Sequence, residues 1–152
     1  MGSFKDRSVE SIRRVRLPAR FRRVIEHASG SRECVLTVSP EGCLTGCAAS
    51  TWPHLVDCIQ EAITEFDPTL LAFFHRFAAM ANLVKPDRQG RFSLPPHLMQ
   101  FAGIGRRVHF IGCGHFFEIW DPQRFDESLA SSLATADLTS VRGFLRVTMP
   151  PE

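Results

Sequence analysis

Asp87-Arg88-Gln89-Gly90-Arg91-Phe92-Ser93-Leu94-Pro95 is the stretch that decides how this chain is organised. An earlier segment, Glu10-Ser11-Ile12-Arg13-Arg14-Val15-Arg16-Leu17-Pro18, keeps its acid, arginine, leucine and proline at the same spacing. Each copy runs into an amphipathic segment, Ala19–Ile25 after the first and Pro96–Phe101 after the second. A repeat of about 75 residues in a chain of 152 predicts two halves of like design. Two such strand–turn–strand–helix units can bury a core that neither could bury alone.

Outward from that repeat, the pattern predicts a mixed α+β chain. Arg13–Leu17 alternates as a short strand, and Pro18 opens a helix ending near Ser29-Gly30. Cys34–Val38 and Cys43–Cys47 read as a hairpin across Pro40-Glu41-Gly42. Thr51 is placed to cap a helix carrying Trp52, Leu55, Val56 and Ile59 in one stripe, and Asp67-Pro68 starts another holding Leu70, Leu71, Phe73, Phe74 and Phe77. The order then recurs: strands at Met80–Lys85 and Gly90–Leu94 around the Asp87–Gly90 turn, a helix at Pro95–Ala102, and a hairpin of Arg107–Gly112 with Phe116–Trp120. A final helix runs from Asp121-Pro122 to Leu133. This divides the chain into a first repeat at 1–66, a second at 67–133, and a Ser/Thr-rich, flexible tail at 134–152, in which Val141–Val147 could add a strand.

Composition narrows the function. A net charge of +2 conceals an imbalance: residues 1–32 carry +6 and the remainder −4, with six arginines between Arg13 and Arg23. Such a patch on a near-neutral chain suits a polyanion, nucleic acid before membrane because apolar anchors are missing nearby. A solvated arginine face, or arginines paired with acids of a neighbouring subunit, reads the same charges without DNA. No apolar run approaches the roughly 20 residues of a spanning helix, no secretory leader is evident, and five scattered cysteines are not a disulfide framework. A cytoplasmic, nucleoid-associated protein is the expectation.

The ordered motifs resemble the MraZ family of bacterial transcriptional regulators. The resemblance rests on Asp87-x-x-Gly90-Arg91-x-x-x-Pro95, Phe101-Ala102-Gly103, Val108-x-Phe110-Ile111-Gly112 and Phe117-Glu118-Ile119-Trp120-Asp121. In the first half it continues through Leu17-Pro18-Ala19-Arg20-Phe21-Arg22, Gly42-Cys43-Leu44 and Trp52. It implies a pseudo-symmetric double swapped-hairpin β-barrel of AbrB/MraZ type with peripheral helices. It also implies a ring-shaped homo-oligomer that binds direct repeats in the promoter of the division and cell-wall gene cluster. The first-half motif departs from the pattern, since Arg13 stands where glycine is usual: either the turn takes another shape or the extra arginine is recruited to phosphate.

The DNA-binding candidates are Arg14 and its counterpart Arg91, then Arg13, Arg16, Arg20 and Arg23, with Arg22 as a further phosphate contact directed elsewhere on its helix. The competing reading is that the acid and arginine of each motif pair across the barrel and lock the fold. Glu10, Pro18, Asp87, Gly90 and Pro95 are read as structural members of the motifs. Cys43 and Cys47, four apart on a strand, share a face but lie about 13 Å apart, too far for one ion. Together with Cys113-x-His115 they are read as core and turn residues, and neither a metal nor a cofactor is expected. No nucleophile elbow, phosphate loop or metalloprotease motif is present, so no enzyme activity is expected. The alternative to DNA binding is an oligomeric scaffold of the same fold.

Overall fold

The computed structural model describes residues 3–8, 14–63 and 67–135. Within them the chain is α+β, as the sequence predicts, with antiparallel strands and five helices. The strands are β1 (Ser3–Ser8), β2 (Arg14–Arg16), β3 (Cys34–Val38), β4 (Leu44–Ala48), β5 (Asn82–Val84), β6 (Arg91–Ser93), β7 (Arg107–Cys113) and β8 (Phe116–Trp120). The helices are α1 (Ala19–Ser29), α2 (Trp52–Ala62), α3 (Pro68–Ala79), α4 (Pro96–Ala102) and α5 (Pro122–Thr135). The chain divides after Pro122 into two compact units, the second of which is described only as α5.

Six strands form one sheet in the order β1-β7-β8-β4-β3-β5, and β2 pairs with β6 in a separate ribbon. Among the described residues these two sheets are open and do not close into one barrel. The six-strand order reads the same when the halves are exchanged. The hairpin β3–β4 takes its edge strand, β5, from the second half, and β7–β8 takes β1 from the first. The dyad relating the halves passes between Thr45 and Glu118 in the sheet and between Val15 and Phe92 in the ribbon.

Local chemistry repeats with the topology. Pro18 (φ −56°) and Pro95 (φ −57°) precede α1 and α4, and Gly30 (φ 64°) and Gly103 (φ 63°) close them in the left-handed conformation. With 11 residues against 7, α1 is about one turn longer than α4. The offset between the halves accordingly falls from 77 residues at Pro18/Pro95 to 73 at Cys47/Trp120.

Strand alternation gives the large sheet two dressed faces. One face, with Leu36, Val38, Leu44, Phe110, Phe117 and Ile119, packs with Val15 and Phe92 of the ribbon and with Phe21, Ile25 and Leu98 of α1 and α4. Phe21 anchors this core, stacked on Phe117 at 5.8 Å and edge-on to Phe110 at 6.0 Å. Burying such a side chain contributes about 1.5–3 kcal/mol. At Gly46 an added Cβ would lie 2.4 Å from the Phe117 ring and 2.7 Å from Leu36, so glycine is what lets those side chains meet.

The opposite face carries α2 and α3. Trp52 stacks on Phe77 at 5.1 Å, and the Thr37 hydroxyl donates to the Phe77 carbonyl at 2.5 Å. Phe77 is therefore part of the fold itself, at 4% exposure, whereas Phe73 and Phe74 stay half-buried and Leu71 is exposed.

Three expectations change. Thr51 adopts helical dihedrals (φ −83°, ψ −23°) and makes no side-chain cap, because a capping side chain needs an extended backbone at that position. Asp67, which is extended, does cap α3: its carboxylate accepts from the Leu70 N–H at 3.0 Å. Asp67→Ala is expected to lower stability by about 0.5–2 kcal/mol, measured as a shifted urea midpoint at unchanged m. The strands expected at Met80–Lys85 and Gly90–Leu94 shorten to three residues each, and β1 was not foreseen. The chain beyond Thr135, including Val141–Val147, lies outside the described residues, as do Glu10 and Arg13.

Candidate nucleic-acid interface

The ribbon sets the arginines. Along β2 the pattern is exposed, buried, exposed: Val15 enters the core while Arg14 and Arg16 face outward. Register places Ser93 opposite Arg14 and Arg91 opposite Arg16, and the dyad exchanges Arg14 with Arg91. This outer face is therefore basic or neutral along its length, with Arg16 directly across from Arg91. Arg20 and Arg23 of α1 are exposed and three residues apart. Among the described residues, the Arg14 and Arg23 side chains make no hydrogen bond or ion pair.

The second motif turn is built around Asp87. Its Oδ1 accepts from the N–H groups of Arg91 and Gln89, both at 2.9 Å, and its Oδ2 accepts from Arg91 Nε at 2.9 Å. The Arg91 backbone N–H, then its side chain and the Gln89 N–H, hold the Asp87 carboxyl down to about 2. The acid and arginine of this motif thus pair within one turn, not across the two halves. Arg91 spends one edge of its guanidinium on the turn and remains a third exposed.

A depressed carboxyl stabilises the fold above its unfolded value, near 3.8, and that contribution is lost as pH falls from there through about 2. Asp87→Asn is therefore expected to flatten the acid limb of thermal stability below pH 4 while leaving its slope at neutral pH unchanged. Melting temperatures recorded from pH 2 to 7 check this.

Gly90 sits at φ 84°, buried, with the Leu17 N–H donating to its carbonyl at 2.8 Å. Arg22 locks the same place from α1. Its Nη1 donates to the Arg88 carbonyl at 2.6 Å, and its side chain lies where a Cβ on Gly90 would have to go. Arg22 thus holds the first-half helix to the second-half turn, a structural role distinct from the phosphate contact expected of it. Pro18 is buried and Pro95 half-buried at the matching ribbon-to-helix corners.

Three basic residues that sequence reasoning passed over converge beside this turn. Arg32, Lys85 and Arg88 line an open cleft of about 500 Å³ with Glu26, Gly30 and Ser31. Only Arg88, inside the motif itself, carried a sequence signal. The other two meet it because the Asp87 turn docks on the end of β2 beside α1.

Comparison with known proteins agrees with the motifs. Residues 77–143 match the family profile described as "MraZ protein, putative antitoxin-like". The chain is 34% identical over 112 residues to the transcriptional regulator MraZ of Thermomicrobium roseum, covering 74% of this chain and 75% of the relative. To the protein of the same name from Arthrobacter sp. it is 37% identical over 117 residues, 77% and 78% of the two chains. To that of Rickettsia bellii it is 31% identical over 132 residues, 87% of each.

Proposed function

The chain belongs to the MraZ family, and on that premise we propose that it is a sequence-specific DNA-binding transcriptional regulator of the bacterial division and cell-wall gene cluster. The observation that carries this reading is the outer face of the β2–β6 ribbon. A two-stranded ribbon is one of the elements the major groove admits, and Arg14, Arg16 and Arg91 stand on its outward side. Arg14 is assigned to base reading and Arg16, Arg20 and Arg23 to phosphate, with Arg13, next to Arg14 in sequence, joining them. Arg91 contacts DNA with the guanidinium edge that Asp87 leaves open.

We further assign the fold to the double swapped-hairpin barrel, with the repeats at 1–66 and 67–133 and a tail at 134–152. The exchange of β1 and β5 between hairpins supports it. The protein acts as a ring-shaped homo-oligomer on direct repeats, each subunit binding weakly and several together binding tightly. Apolar surface left over by the fold supports this assembly. Leu70, Phe73 and Phe101 line an open cavity of about 610 Å³, and Leu71 is exposed beside it. Light scattering coupled to size exclusion is expected to give a mass above a dimer at tens of micromolar, and a monomer there would refute the ring. Among the described residues no helix is long and apolar enough to cross a membrane. A cytoplasmic location at the nucleoid follows from the proposed role.

DNA affinity is expected to fall steeply with salt. Each phosphate contact contributes about −0.9 to the slope of log K against log salt, so four arginines give a slope of about −3 to −4 per subunit. Fluorescence anisotropy on the promoter repeats and on a scrambled duplex, between 50 and 200 mM salt, tests both terms. A flat salt response would remove the phosphate contacts, and equal affinity for the two duplexes would leave the scaffold reading, an oligomer of this fold without DNA specificity.

A further inference from the structure

We propose that Cys43, Cys113, Glu118 and Glu41 form a zinc site on the helix-covered face of the sheet, remote from the arginines. Strand geometry does keep Cys43 from sharing an ion with Cys47, but the folded sheet brings Cys43 toward Cys113 instead. The link is Glu118, which stands on the dyad opposite Thr45. The Cys43 thiol donates to Glu118 Oε2 at 3.1 Å, and the Cys113 thiol donates to Oε1 of the same carboxylate at 3.4 Å. The ligand atoms of Glu41, Cys43 and Glu118 lie within 4.8 Å of one another. Around a tetrahedral zinc with bonds of about 2.0–2.3 Å, neighbouring ligand atoms stand about 3.5 Å apart. Glu41, Cys43 and Glu118 approach that spacing as they stand, and the Cys113 side chain, tied to the other oxygen of Glu118, turns inward to complete the set.

The elements fix these groups from three directions. Cys43 and Glu41 come from the tight turn into β4, where the Ser39 N–H donates to the Cys43 carbonyl at 2.9 Å and the Glu41 N–H to the Ser39 hydroxyl at 3.3 Å. Cys113 ends β7, two residues beyond Ile111, which faces Glu118 in the register. Cys43 is fully buried, while Glu41 is exposed and, with Glu118, lines a cavity of about 250 Å³ that gives an ion its way in. Two carboxylates held together beside two thiols repel once ionised, and a divalent cation answers that repulsion.

The experiment uses the full chain, freed of metal with chelator and kept reduced, titrated with zinc and separately with cobalt(II). The expected result is one zinc per chain, a rise in melting temperature, and a thiolate-to-cobalt charge-transfer band. Cys113→Ser, at a half-exposed position, and Glu118→Gln, which keeps side-chain volume, are each expected to weaken zinc at least tenfold. Their metal-free melting curves should stay close to that of the parent. Absence of stoichiometric zinc binding by the parent chain would overturn the site. So would zinc affinity unchanged in both variants, or a cobalt complex without a thiolate band. DNA binding enters none of these readouts, so the result stands or falls separately from the regulatory assignment.

Discussion

A chain carrying Arg14→Ala is expected to lose about 1–3 kcal/mol of DNA binding free energy, a factor of roughly 5 to 150, and to lose discrimination between the promoter repeats and scrambled DNA. Arg106→Ala, in an exposed turn before β7, should change affinity little. The difference follows from placement. Arg14 projects from a ribbon strand whose neighbour Val15 is fully buried, so its backbone is held by the core while its guanidinium makes no hydrogen bond or ion pair among the described residues. Truncating an exposed side chain with no internal partner leaves stability nearly unchanged. Unaltered melting together with lost binding is thus the signature sought. If Arg14→Ala instead dissociates or unfolds the protein, the arginine serves the fold and the interface lies elsewhere.

Gly90→Val is expected to unfold the protein or to leave it marginal at 37 °C. Two costs coincide there. The backbone sits at φ 84°, strained for any β-branched residue, and such strain costs about 1–3 kcal/mol. An added Cβ would also stand 2.6 Å from the Leu17 carbonyl oxygen and 2.7 Å from Arg22 Cδ, and overpacking of this kind costs about 1–3 kcal/mol more. Arg22 could swing aside, but the Leu17 carbonyl belongs to backbone tied to Gly90 by the 2.8 Å hydrogen bond. Against a typical stability of about 5–15 kcal/mol, the sum is large. Urea denaturation compared with Gly105→Val, where a Cβ meets nothing within 4 Å, isolates the effect.

Local signals carried most of the fold. Prolines before α1 and α4 and left-handed glycines after them are written in short stretches, as are the turns of the two long hairpins. What escaped reading depends on partners far away in sequence. β1 contains Phe4-Lys5-Asp6-Arg7, with no β-branched residue to mark it, and becomes a strand because β7 offers an edge. Glu118 meets Cys43 across 75 residues, a separation that no spacing rule reaches. At the interface, the outward direction of Arg14 and Arg16 was implicit in two-residue alternation around Val15. The duty of Arg22 was not, since its partners are the carbonyl of Arg88 and the space beside Gly90. Likewise the local pairing of Asp87 with Arg91 depends on the shape of the turn, whereas the residue types suggest a pairing across the barrel.

The exchange of strands between hairpins also dictates when this protein can fold during its synthesis. β1 leaves the ribosome first, yet its partner Arg107–Ile111 follows about a hundred residues later. At about 5–20 residues per second that is a wait of roughly 5–20 s. The β3–β4 hairpin meanwhile lacks both β5 and β8, and the arginines of β2 lack the ribbon strand that positions them. A nascent first half is therefore an unfinished sheet with two open edges, and the arginine face takes shape only once β6 of the second half has been made.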